Sequence, residues 1–216
     1  MGPGPDDGGG KGRRGPPLAS GAVVRIYTRR GDDGTTGLLY GGRVPKHAPA
    51  IEVNGDVDEA QAMLGLARAE AVPGSELDGV LLDIERDLYV LMAEVATAPA
   101  NRAKLTPGVS AVTSAMVGAL EGRIDDVATR FAMPTEFVLP GGNRVSAALD
   151  VARTVVRRAE RAASASPPAP DSAVGRYLNR LSDLLWMLAR WQETEHVAAR
   201  VHGPASAPSP RQDGGR

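Results

Sequence analysis

Phe137-Val-Leu-Pro-Gly-Gly-Asn-Arg-Val-Ser-Ala-Ala-Leu-Asp-Val-Ala-Arg-Thr-Val-Val-Arg-Arg-Ala-Glu-Arg161 is the most informative stretch of the chain. An aromatic and two apolar residues lead into Pro140-Gly141-Gly142, a glycine pair that can turn tightly or let a ligand approach the backbone. A long helical pattern follows, expected over about 143 to 165. At 100° per residue, Arg153, Arg157 and Glu160 fall within roughly 60° of one another, with Arg161 just beyond. Guanidiniums suit multidentate phosphate contacts. The plainer reading of such a stripe is a solvated face with intrahelical ion pairs around Glu160.

Other helical patterns flank this one. Asp56 or Asp58 opens a pattern running through Ala71, stopped by Pro73-Gly74. Ser75 with Asp78 reads as a capping box. Behind it Leu77, Leu81, Ile84, Leu88, Leu91, Met92 and Val95 recur at helical spacing through about Ala98. Thr106-Pro107 reads as an N-cap and first-turn pair opening a helix to about residue 130. After the three prolines between Ser164 and Asp171, Tyr177, Leu181, Leu184, Leu185 and Leu188 form one stripe. Arg176, Asn179, Arg180, Asp183 and Arg190 occupy the rest of that helix. Five helices with short connections predict an all-α, up-and-down bundle. A short β-like run, Val23 to Tyr27, precedes it.

Composition narrows the function classes. The chain has 216 residues, no cysteine and three histidines. Residues 1 to 22 and 203 to 216 are rich in Gly, Pro, Ser and Arg and read as disordered tails, leaving a domain over 23 to 202. Without cysteine there is no disulfide, thiolate nucleophile or cysteine metal site. His47, His196 and His202 lack ligand-like spacing, so no zinc or iron centre is expected. A net charge of −1 and a pI near 6.3 leave no footprint for nucleic acid. There is neither a secretory h-region nor a membrane-length apolar run, and a cytoplasmic protein is expected.

A second constellation is Thr28-Arg29-Arg30-Gly31-Asp32-Asp33-Gly34-Thr35-Thr36-Gly37. Backbone N–H groups beside glycines, with three threonine hydroxyls, can cradle phosphate, although no Walker A sequence is present. Taken alone it reads as an ordinary polar surface loop. Lys46 can add one mobile charge. Asp58 can cap a helix. Asn179 can bind a nucleotide or water.

Taken in order, Tyr27-Thr-Arg-Arg-Gly-Asp-Asp-Gly-Thr-Thr-Gly37, Gly55-Asp-Val-Asp-Glu59, Phe137-Val-Leu-Pro-Gly-Gly142, Ala152-Arg-Thr-Val-Val-Arg-Arg-Ala-Glu-Arg161 and Tyr177-Leu-Asn-Arg-Leu-Ser-Asp183 resemble the PduO-type ATP:corrinoid adenosyltransferases. The likeness runs from about Arg25 to Arg200. It implies a five-helix bundle assembling as a homotrimer, with ATP and cobalamin bound between neighbouring subunits. It implies transfer of the 5′-deoxyadenosyl group of ATP to the cobalt of cob(I)alamin, with Mg²⁺ on the phosphates. It places Thr28, Arg29, Arg30, Gly31, Thr36, Lys46, Arg157, Arg158, Glu160, Arg161 and Asn179 around ATP. Asp58 matches an acid that pairs with Arg153 across the subunit boundary, and Phe137 an aromatic under the corrin. A reductase and an adenosylcobalamin-dependent enzyme are the implied further partners. Asp150, Ala50 and Ala60-Gln61-Ala62 depart from the common pattern. The rival reading is a non-enzymatic bundle that binds or delivers a corrinoid.

Overall fold

The computed structural model describes residues 27–200. Of the expected strand over 23–27 only Tyr27 is among them, and it is not in a strand; the rest of that run and both tails lie outside them. Two short antiparallel strands, β1 (Thr35–Gly37) and β2 (Arg43–Pro45), pair with Thr36 opposite Val44. Part of the expected phosphate loop is therefore strand. Five α-helices follow: α1 (Pro49–Glu70), α2 (Glu76–Val95), α3 (Ser114–Ala128), α4 (Arg144–Ala165) and α5 (Val174–Trp191). No described helix is long and apolar enough to cross a membrane.

α1 begins earlier than the sequence suggested. Asn54-Gly55 looks like a break, but Pro49 fits the first helical turn and Val53, Val57, Ala60, Leu64 and Ala67 bury one continuous stripe. Burial outweighs the local cost of Gly55. Asp58 is thus mid-helix and caps nothing. At α2, Ser75 Oγ accepts from Asp78 N–H, while the Asp78 carboxylate accepts from Gly74 N–H rather than from Ser75.

α3 is shorter than expected. Thr106-Pro107 opens a turn in which Thr106 O accepts from the N–H groups of Ser110 and Ala111, and Gly108 takes φ 74°. The helix starts only at Ser114, where Thr113 Oγ1 accepts from Met116 N–H at 3.2 Å. A six-residue 3-10 turn, Pro99–Lys104, fills the connection. That connection is pinned by Glu94, 1% exposed, which accepts from Arg102 Nη2 (2.9 Å), Val112 N–H (2.7 Å) and Ser172 Oγ (2.7 Å).

α4 is the central helix, packed against α1 on one side and α5 on the other; α2 lies on α1 and α3 on α5. Leu64, Leu81, Leu88, Leu149, Val156 and Leu185 are among the fully buried residues between them. Tyr177, also fully buried, donates to Asp87 Oδ2 at 3.0 Å, tying α5 to α2. α1 and α4 run antiparallel: Arg158 meets Asp56 near one end and Arg144 meets Glu70 near the other.

Candidate functional site

α4 follows from an Asn143 cap, whose Oδ1 accepts from Ser146 N–H while Ser146 Oγ accepts from Asn143 N–H. From that start the helical period distributes the arginines. Arg157 is exposed, and among the described residues its guanidinium has no hydrogen-bond or ion-pair partner. Its carbonyl accepts from Arg161 Nη1 at 2.9 Å. Glu160 forms no ion pair among the described residues; instead Oε1 accepts from Asn179 Nδ2 at 2.8 Å, and Arg180 donates to Asn179 Oδ1. The stripe Arg157–Glu160–Arg161–Asn179 therefore spans the α4–α5 seam with its cations uncompensated by carboxylate.

Arg158 faces elsewhere. Its Nε donates to Asp56 Oδ1 at 2.8 Å and its Nη2 to Glu59, so it clamps α4 to α1. The Asp56 contact, then the Glu59 charge, raise its pKa further above the ordinary arginine value. Arg153 Nε donates to Asp150 Oδ1 at 3.1 Å within the same helix. Asp58 is exposed on α1. Within one chain the structure does not bring Asp58 and Arg153 together.

The strand loop is ordered by its own side chains. Asp33 Oδ1 accepts from Thr35 N–H (2.9 Å) and Thr35 Oγ1 (2.8 Å), and those bonds hold its carboxyl below the usual range. Arg43 Nε donates to Thr35 Oγ1 at 2.9 Å and its Nη2 to Arg30 O. Thr28 Oγ1 accepts from Arg30 N–H at 3.4 Å. Lys46 lies across Gly31: a Cβ there would meet Lys46 Nζ at 3.2 Å. Gly31 and Lys46, separate signals in the sequence, thus form one cationic corner.

Phe137 is 87% exposed and so is not part of the core of the single chain. It borders an open cavity of about 510 Å³ lined by Thr135, Glu136, Phe137, Ala199 and Arg200. It stands near the start of α4, beyond Asn143, whose Nδ2 donates to Gln192 O at the end of α5. The strand loop sits at the other end, where Leu39 N–H donates to Ala96 O just past α2.

One group escaped the sequence reading. Arg190, expected on a polar face, is 1% exposed and lies between two buried carboxylates. Its Nη2 donates to Asp150 Oδ2 at 2.6 Å, and its Nε to Glu193 Oε2 at 2.8 Å. His196 Nδ1 is 3.0 Å from the same Glu193 oxygen. The spacing Arg190–Glu193–His196, three residues each time, was the available signal. The departure at Asp150 is explained: its acid partners Arg190.

Fold and site together define an all-helical bundle with an arginine-rich, phosphate-suited seam and an exposed aromatic at one end. The chain belongs to the cobalamin adenosyltransferase family, which matches residues 26–192. It is 42% identical over 172 residues to the corrinoid adenosyltransferase of Mycobacterium tuberculosis (strain ATCC 25618 / H37Rv), covering 78% of this chain and 88% of that one. It is 39% identical to the cobalamin adenosyltransferase of Cupriavidus metallidurans, with 78% and 88% covered. Among solved structures, a variant PduO-type ATP:corrinoid adenosyltransferase from Lactobacillus reuteri, complexed with cobalamin and ATP, superposes with a TM-score of 0.73. Identity there is 26%, covering 82% of this chain and all of that one.

Proposed function

We propose that this protein transfers the 5′-deoxyadenosyl group of ATP to the cobalt of cob(I)alamin, releasing triphosphate. The observation that carries this reading is the α4 stripe, where Arg157 stands without a carboxylate partner among the described residues, within a chain of this family. Cobalt(I) supplies the electron pair for the new cobalt–carbon bond, and the C5′–oxygen bond breaks with its pair leaving on triphosphate. Cobalt is the nucleophile, so a protein without cysteine meets the chemical need.

Arg157, Arg161 and Lys46 would stabilise the charge growing on triphosphate. Thr28, Arg29, Arg30, Gly31, Thr36 and Asn179 would hold the nucleotide, with Glu160 fixing Asn179. Arg158, engaged with Asp56 and Glu59, serves the site by bracing α4. Mg²⁺ binds mainly through substrate phosphates and one or two carboxylates. Glu160 is the carboxylate on the stripe, and the ion would arrive on ATP. Phe137 would occupy the lower axial side of the corrin and exclude a ligand there. A cobalt without that donor accepts an electron more readily, which favours reduction to cobalt(I).

We propose assembly as a homotrimer with sites between subunits. From Arg144 to Arg158, α4 rises about 21 Å, so the strand loop and Phe137 of one chain stand far apart. Reacting atoms must approach to about 3–3.5 Å. A neighbouring copy can bring the two halves together, and Asp58 and Arg153 would then pair across the boundary. A cytoplasmic setting, a separate reductase and an adenosylcobalamin-dependent recipient complete the proposal. The test is an anaerobic assay with ATP and chemically reduced cobalamin. Adenosylcobalamin and triphosphate should form in equal amounts; no product from the folded protein rejects the reading.

A further inference from the structure

We infer that Glu193 is a positioning residue for Phe137, acting through the chain segment that follows α5. The inference rests on the corrin-facing role proposed for Phe137. An aromatic so exposed is not fixed by packing of its own side chain. Its backbone is held instead: Phe137 O accepts from Ala199 N–H at 2.7 Å, and Leu139 N–H donates to Val197 O at 2.8 Å. Val138 and Ala198 form an antiparallel bridge between the same segments. Residues 197–199 thus form a strap along the Phe137 loop, and the strap is only as well placed as its anchor.

That anchor is Glu193, the first residue beyond the family match. Its side chain is 1% exposed and receives Arg190 Nε (2.8 Å) and Nη2 (3.0 Å), with His196 Nδ1 at 3.0 Å. It also presses on the other arm of the loop. A Cβ on Gly142 would lie 2.8 Å from Glu193 Cγ, closer than real Cβ contacts come. Glu193 therefore touches the Phe137 loop at Gly142 and governs the strap through His196. Behind it, Arg190 bonds Asp150 Oδ2 at 2.6 Å, and the other oxygen of Asp150 accepts from Arg153 at 3.1 Å. Charged hydrogen bonds run unbroken from α4 to His196, the residue just before the strap. Such bonds are short and directional, suited to fixing a geometry.

Displacing Glu193 should let the Phe137 loop shift without altering any nucleotide contact. Two variants reach it by different routes. Glu193→Gln keeps the size but removes the charge and turns one acceptor into a donor facing Arg190. Gly142→Ala changes no charge and pushes first on the Glu193 side chain. Each is measured beside Phe137→Ala for three quantities: the four-coordinate fraction of bound cob(II)alamin with ATP, by electron paramagnetic resonance; ATP affinity; and turnover with a mild reductant against turnover with pre-formed cob(I)alamin. The expected result is a reduced four-coordinate fraction in both variants, ATP affinity within about twofold, and mild-reductant turnover down about tenfold or more, since a misplacement near 1 Å can cost that much. Turnover from cob(I)alamin should fall less. Two normal four-coordinate fractions, with Phe137→Ala lowering its own, overturn the role of Glu193 and leave that of Phe137 standing. An undiminished fraction in Phe137→Ala overturns the Phe137 reading, and this inference with it. Loss of ATP affinity and melting temperature together in both variants reduces Glu193 to a fold-maintaining residue and also overturns the inference.

Discussion

Arg157 and Arg158, adjacent in sequence and about 100° apart around α4, do different work: Arg158 is bonded to Asp56 on a helix 102 residues away, while Arg157 faces outward. Arg157→Ala should leave the fold intact and lower kcat on the order of 10²-fold or more, as loss of a clamp on a leaving group does. Arg158→Ala should lower the melting temperature more than it weakens ATP binding. Thermal unfolding and steady-state kinetics on both variants check the contrast; a reversed pattern exchanges the two roles.

If Asp58 and Arg153 pair as proposed, Asp58→Asn and Arg153→Lys should each impair turnover, because a bidentate carboxylate–guanidinium pair tolerates neither change. If the pair spans a boundary, mixing the two inactive proteins should recover some activity through hybrid assemblies. A fully active monomer in sedimentation would refute the shared site.

Truncating Phe137 should scarcely change the melting temperature, since a side chain 87% exposed contributes little to the core. A buried phenylalanine would cost about 3–5 kcal/mol. Turnover driven by a mild reductant should nevertheless drop. A destabilised Phe137→Ala protein with normal turnover would assign the ring to packing.

Acid should weaken the strap. Burial alone raises the Glu193 pKa, but bonds from Arg190, His196 and Ser146 outweigh it and hold the carboxyl below its ordinary range. A depressed folded pKa contributes stability that is complete above the unfolded value, ~4.3, and is lost as pH falls through the folded one. Arg190 faces the same carboxyl and is itself bonded to Asp150. Glu193→Gln should therefore have a flatter melting-temperature profile below about pH 4.5 than the parent. Parallel profiles would count against it.

Glu94→Ala should cost about 1–3 kcal/mol or more, because it strands Arg102, Ser172 and the Val112 N–H around one buried position. Urea titration measures it. A change below about 0.5 kcal/mol, the scale of an ordinary surface substitution, would show that the 97–112 connection is held by other contacts.

Much of this was legible in the chain. The α2, α4 and α5 patterns were long and strongly periodic, and the arginine stripe followed from helical geometry alone. Local signals misled where tertiary burial decided: Asp56 or Asp58 reads as the start of a helix yet α1 starts at Pro49, and Thr106-Pro107 reads as a cap yet Gly108 turns the chain. Arg190 looked solvated because Asp150 reaches it only after α4 and α5 pack, although Glu193 lies just three residues on. The proposed Asp58–Arg153 pairing has no counterpart within one chain, where Arg153 bonds Asp150 instead.

Gly141 and Gly142 are glycines for unrelated reasons. The first has φ 114° with open space around it, so its constraint is handedness; the second faces the Glu193 carboxylate, so its constraint is volume. As sequences diverge, position 141 can therefore drift only among residues that tolerate a left-handed backbone, independently of its surroundings. Position 142 can acquire a side chain only together with a shorter residue at 193. The two neighbours should obey different substitution grammars, and 142 should covary with a position fifty-one residues downstream.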